Sequence, residues 1–348
     1  MTPVRRAIVG IVGNDVPRQL VLASGGLPRR ITGSWTGAID AEAQDLLGAA
    51  DAVVARMLTE LRSGHVECDA LVVCADTQAH VRLFYVLRSI ASELPLHLLD
   101  LPRAESAAAR RFARSQLERL AAFLTGIGGE TIDGAALAAA GSAERDLGEA
   151  LARLRVRRGA TPPECGGSAA LEAWLEAGRV DPEEAITRVD EARVDVPVTA
   201  ARVHITGSNH PDPALYRILE EQGCVVVGED HDTGEGAWLG VAVDAASLDE
   251  AIERLVDLHF GRVGGSATAS SADRARLTHE AALRSRADVV AGVIRDLDEA
   301  PAWDLSDQAA ALAGIRVPFV MQTRLRPGDE ARAARDLGHR IVKGTASS

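Results

Sequence analysis

Cysteine is scarce in this chain, and so are aromatic residues, positive charge and long apolar runs. The four cysteines, at 68, 74, 165 and 224, make no Cys-x-x-Cys and no dense framework. They read as free thiols of a cytoplasmic protein, not as staples of a secreted scaffold. Five Phe, four Trp and two Tyr in 348 residues give little material for stacking nucleic-acid bases. With 38 Lys+Arg against 50 Asp+Glu the formal charge is −12, and a chain so short of clustered cations is no general phosphate-backbone binder. No stretch approaches the roughly 18 apolar residues of a spanning helix. The first twenty residues offer only AIVGIV, too short for a signal-peptide core. Nucleic acid, membrane and secretion are therefore not expected.

What is present is an ordinary 47% of hydrophobic residues, enough for real cores, in a chain long enough for more than one domain. Short apolar runs alternate with helical patterns, which predicts an α/β protein with parallel sheets. Strands are expected at Ala7–Val12, Arg30–Thr32, Ala70–Cys74 and Leu96–Leu99, with helices at Pro17–Ser24, Glu42–Leu61 and Ala79–Ile90. Ala- and Leu-rich stretches at 104–125, 135–157 and 168–177 read as consecutive helices. The charged, proline-punctuated segment 178–199 reads as a boundary. Alternation then resumes, with strands at 203–205, 224–227, 289–294 and 317–321 and helices near 213–222, 247–258, 273–286 and 329–341. GRVGGSATASS at 261–271 is expected to be a flexible loop.

The two halves align as weak duplicates. AIVGIVGNDVPRQLVLASGGLPRRITG matches VHITGSNHPDPALYRILEEQGCVVVGED in a strand, a Pro-initiated helix, a glycine stop and a strand closed by Gly33 or Gly228. Each is followed by an Asp-led strand and then a Pro-associated strand. The expectation is two flavodoxin-like parallel-sheet lobes around a helical insert: 1–103, a helical region 104–178, a linker 179–199, and 200–348. Ligands of such sheets bind beyond the carboxyl ends of the strands. Facing lobes would build a cleft from loops at Gly13-Asn14, Gly33-Ser34-Trp35, Asp76-Thr77, 207–210 and 229–232.

Within those loops, ITGSNHPDPALY at 205–216 runs from strand to helix through Ser208, Asn209 and His210. Its backbone N–H groups suit an anion, though an ordinary strand-to-helix turn has the same form. It has neither Gly-x-Gly-x-x-Gly nor a P-loop. GEDHDTG at 228–234 gathers Glu229, Asp230, His231 and Asp232 on one loop, which suits acid–base chemistry or a divalent cation, or else a solvated acidic turn. Glu229 and His231 are the catalytic candidates. Ser34, Trp35, Ser208, Asn209 and His210 are the substrate-binding candidates. No Gly-x-Ser-x-Gly occurs.

VPRQLVLASGGLPRRITGS at 16–34 resembles the N-terminal motif of the 2-hydroxyacyl-CoA dehydratase D-component family, which includes benzoyl-CoA reductase subunits. The resemblance continues through DALVVCADTQAHVRLFYVLR, LPLHLLDLPR, the 202–230 stretch and 288–320. It implies two flavodoxin-like domains with a helical region, pairing as heterodimers that bind an acyl-CoA and an iron–sulfur cluster held by three cysteines per subunit. An ATP-driven activator would supply one electron for ketyl-radical chemistry.

The cysteines depart from that pattern. Residues 46–58, where the first family cysteine is expected, contain none. Ala75 precedes Asp76, with Cys74 displaced by one and the only near-match. The 228–234 loop offers His231 and Asp232 in place of a third, and 295–303 has none. The expectation is a cluster-free subunit that helps bind acyl-CoA beside a homologous, cluster-bearing partner, with no cofactor of its own. A non-catalytic scaffold or regulatory paralogue and a cluster-free acid–base lyase are the alternatives.

Overall fold

A computed structural model describes residues 5–91, 93–193, 200–265 and 268–345. The first half runs β1 (Ile8–Val12), α1 (Arg18–Ala23), β2 (Leu27–Arg30), α2 (Ala41–Leu47), α3 (Ala52–Arg62), β3 (Ala70–Cys74), α4 (Gln78–Ile90), β4 (Leu96–Leu99). Helices α5 (Ala107–Gly128), α6 (Gly134–Gly159), α7 (Gly167–Ala177) and α8 (Pro182–Glu191) follow. The second half runs β5 (Ala201–Gly207), α9 (Ala214–Glu221), β6 (Cys224–Glu229), α10 (Leu248–Gly261), α11 (Ser271–Ser285), β7 (Val289–Arg295), α12 (Ala300–Gly314), β8 (Phe319–Leu325), α13 (Glu330–Thr345). The strands form two four-stranded, all-parallel sheets, ordered β2-β1-β3-β4 and β6-β5-β7-β8. The two orders are equivalent, strand for strand, as expected of two flavodoxin-like lobes. β3, β6 and β7 are buried along their whole length, so their apolar runs do not alternate.

Several boundaries differ from the sequence expectation. The run 42–61 is two helices: Gly48, at φ 64°, ends α2, and the Asp51 carboxylate caps α3 by accepting from Val53 N–H. β2 lies three residues earlier than expected, and β8 extends four residues further. Helix α12 was not foreseen. Residues 179–193, expected as linker, contain α8. Asp181 caps it, Pro182 occupies its first turn, and Ala185, Ile186 and Val189 pack with α6 and α7 while the charges face outward. The rest of that stretch, 194–199, and residues 266–267 of the Gly/Ser loop lie outside the described residues.

Helix α5 buries Leu117, Leu120 and Leu124 with Val9 and Ile11 in the core of the first sheet. Helix α10 adds Ile252, Leu255 and Val256 to that same core, although its sequence position is in the second half. On the other side of the chain, Trp35 leaves the first lobe and is buried among Leu171 of α7 and Leu215 and Val293 of the second lobe. The lobes thus exchange parts in both directions.

Gly13 and Gly207 end the equivalent strands β1 and β5 at φ 93° and 111°. A Cβ on Gly207 would lie 2.4 Å from the Val293 carbonyl. Gly207→Ala is expected to destabilise by about 2–4 kcal/mol, combining backbone strain and overpacking. Gly126→Ala, exposed on α5 with open space around it, is expected to gain about 0.5–1 kcal/mol. Urea denaturation of the two variants checks the opposite signs.

Candidate functional site

The carboxyl ends of the two sheets face each other across a cleft, at the positions where strand order reverses in each. Its inner part is a small pocket of about 70 Å³ walled by Asn14, Asp76, Ser208, Asn209, His231 and Asp298, among others. It adjoins an outer cleft of about 670 Å³ between α3, α4 and α12, which Asp76, Asn209, Asp232 and Asp298 share and Arg103 and Trp303 also line. The larger volume is in the usual range for a small-molecule site. Trp303, 79% exposed, is the most exposed of the large hydrophobic residues described.

The inner walls are built from charges that neutralise one another. Arg295, at the end of β7, donates to Asp51 of α3 (2.9 and 2.6 Å) and to Asn209 Oδ1 (2.8 Å), with its guanidinium 5.6 Å from the Trp35 ring. Arg30 of β2 reaches Asn14 Oδ1 (2.9 Å) and the Asp232 backbone carbonyl (2.6 Å). Asp230 accepts from Arg274, Thr206 and Thr278 at 2.6–2.8 Å, which holds its carboxyl far below the usual range against the opposing effect of burial.

The sequence-predicted residues separate into two groups. Ser208, Asn209 and His231 line the pocket, whereas Ser34, Trp35, His210 and Glu229 stand outside it. Ser34 bonds the Thr36 carbonyl and Glu60. His210 is wholly buried, its ring 5.5 Å from Trp35 and 5.0 Å from His231, and burial pushes its pKa well down. Glu229 is held by both terminal nitrogens of Arg158, a buried arginine from α6. Burial works against the Glu229 charge, but Arg158 outweighs it and brings the pKa to about 2. His231 is neutral, lowered to about 4 chiefly by burial. Its Nε2 meets the Tyr216 hydroxyl at 2.8 Å and its Nδ1 meets Thr233 at 3.1 Å. Both ring nitrogens are therefore engaged, and Glu229 stays a carboxylate across the neutral range. Neither is free for proton transfer.

A different imidazole occupies the cleft wall. Asp76 ends β3, Thr77 caps α4, and His80 follows one turn later, so that His80 Nδ1 lies 2.5 Å from Asp76 Oδ1. Asp76 Oδ2 accepts from the Asn14 N–H at 3.0 Å. Sequence reasoning missed this pair. Its signal was the Asp-x-x-x-His spacing directly after a strand, which places both residues on one face of the first helical turn.

The thiols do not meet. Cys68 and Cys224 lie at the amino-terminal ends of β3 and β6, away from the cleft, and Cys165 is buried before α7. Cys74 is buried beneath the cleft floor, its sulfur accepting from Asp15 N–H. Burial raises all four: Cys165 and Cys224 to about 11, Cys74 well above its ordinary value. Among the described residues no three His, Cys, Asp or Glu side chains are grouped to hold a metal ion. An iron–sulfur cluster needs converging thiolates, and these four cysteines do not fit one.

Compared with models of known families, the chain matches 2-hydroxyglutaryl-CoA dehydratase, D-component, over residues 14–294. The chain belongs to this family. No curated protein matches it by sequence. The matched span of this D-component-family protein runs from Asn14 through most of β7 and takes in the cleft loops up to Asp232, while Arg295 and the α12 wall of the cleft lie beyond it. No helix among the described residues is long and apolar enough to cross a membrane.

Arg158→Met is expected to cost about 3–5 kcal/mol by leaving the Glu229 charge buried and unpaired, with part regained in Arg158→Met/Glu229→Gln. Because the folded pKa of Glu229 lies below its unfolded value, its contribution is complete above about pH 4.5 and is lost as pH falls toward 2. Urea denaturation across that range should show a shallower acid slope for Glu229→Gln than for the parent.

Proposed function

We propose that this chain is a cluster-free component of a 2-hydroxyacyl-CoA dehydratase or acyl-CoA reductase-type complex, helping to enclose an acyl-CoA beside a homologous subunit that carries the iron–sulfur cluster. The observation that carries this reading is the combination of a ligand-sized cleft at the switch points of both sheets with thiols that lie apart and mostly buried. Family membership supports the dehydratase type. The outer cleft supports a ligand with polar and apolar parts: Asn209 and Arg103 supply polar groups, and Val54, Met57 and Trp303 apolar surface. Electron chemistry in this reading belongs to the partner. The cluster-free lyase alternative loses support because Glu229 and His231 are both occupied.

The test is co-expression with a homologous subunit whose cluster cysteines are intact. The expected outcome is a stable heterodimer whose iron follows the partner, with calorimetric binding of 2-hydroxyglutaryl-CoA weakened by Asn209→Ala. After anaerobic reconstitution of this chain alone, iron should remain substoichiometric, and Cys74→Ser should not change it. A chain that joins such a subunit without affecting thioester binding would favour the scaffold reading, and a monomer that does neither would overturn the proposal. Stoichiometric iron on the isolated chain would refute the cluster-free assignment.

A further inference from the structure

Several imidazoles approach the interlobe region, and one of them is built to exchange a proton with something in the cleft. His231 has both nitrogens engaged. His204 sits 3.3 Å from Asp230 with its other nitrogen sealed, and both ring nitrogens of His210 are sealed without partners. His80 differs. Its Nδ1 is fixed by Asp76, its Nε2 has no hydrogen-bond partner among the described residues, and its side chain, though mostly buried, keeps 7% of its surface accessible. The residue lines the outer cleft. Asp76 is itself anchored by Asn14 N–H, so ring orientation is set before any ligand arrives. With Nδ1–H donating to Asp76, Nε2 of the neutral ring is an acceptor, and the protonated ring is a donor at the same place.

We propose that His80 is the proton-transfer residue of this cleft, with Asp76 its positioning residue, acting on the acyl portion of a 2-hydroxyacyl thioester. This deepens the acyl-CoA reading above and rests on it. In net terms, and with the electron chemistry that loosens both bonds left to the partner, a C–H bond beside the hydroxyl-bearing carbon breaks, its proton passes to Nε2 and its electron pair ends in the new C=C bond. The C–O bond breaks with its pair on oxygen, and the departing hydroxide takes the proton from Nε2 as water. His80 ends as it began, and no net oxidation occurs. The carboxylates of Asp76 and, from the other lobe, Asp232 face the ring, as does the Arg30 guanidinium. Farther along the cleft, Asp51, Arg295 and Asp298 are paired among themselves. Burial disfavours the charged ring, but the two carboxylates outweigh it and Arg30, so His80 titrates above the ordinary histidine value.

Histidine-selective NMR on the full chain tests this directly. The His80 resonances should titrate above the ordinary histidine value, fall in Asp76→Asn, and shift when 2-hydroxyglutaryl-CoA is added. In the assembled complex, His80→Gln should lower kcat by about a hundredfold with KM little changed, and Asp76→Asn should move the pH profile to lower pH. If the thioester binds and His80 does not respond, the proposal is overturned while the acyl-CoA reading survives. If no thioester binds the chain or the complex, both fail. Should His80→Gln not fold, a folded Asp76→Asn with unchanged titration and unchanged kcat would overturn the proposal equally.

Discussion

Arg295 sets the spacing between the lobes. It leaves the last strand position of β7, packs over Trp35, and closes on Asp51 and Asn209. Three polypeptide segments from two sheets are therefore tied to one guanidinium, whose planar fork suits multiple fixed acceptors. Asp51 is simultaneously the cap of α3, so the start of a cleft-lining helix and the lobe contact are one construction. Arg30 makes a second tie from the first lobe to the loop after β6. Buried pairs of this kind add little net stability compared with apolar packing, yet breaking one partner is severe. Here they fix geometry. The cleft keeps its width because these cations have nowhere else to go.

That construction explains why a loop rich in acidic residues is not a solvated turn. Each of Glu229, Asp230 and Asp232 faces an arginine from a different element: Arg158 on α6, Arg274 on α11 and Arg30 on β2. The −12 of the whole chain thus does not show that each of these three carboxylates is individually paired. On the cleft wall, His80 has one ring nitrogen oriented by Asp76 and the other without a hydrogen-bond partner among the described residues.

Strand ends were legible in the sequence because their chemistry is local. Gly13 and Gly207 mark turns that need positive φ, and the buried runs around Val72, Val226 and Val290 show as unbroken apolar stretches. From these, two parallel sheets and a shared cleft followed. Helix α8 was hidden because its apolar residues are few and its charges many. The division of the 42–61 run depended on Gly48 being read as a stop. The positions of Glu229 and His231 outside the sequence's reach have one cause. Glu229 and His231 look reactive beside their neighbours, and nothing near them in sequence announces Arg158 or Tyr216. Long-range pairing consumed the obvious candidates. Asp76 and His80, only four residues apart, carry a local signal in the Asp-x-x-x-His spacing that follows β3.

The placement of α10 has a consequence for the history of the molecule. Its apolar face, with Trp238, Val241 and Val243 of the segment before it, belongs to the core under the first sheet, next to α5, while α11 after it serves the second. The two sheets have equivalent strand orders, as two copies of one unit in tandem would. A helix encoded in the later copy now completes the earlier one, and Trp35 of the earlier copy fills the later. The halves have become mutually dependent, so a split or exchange of the gene at the apparent midpoint would strand an unfinished core on each side.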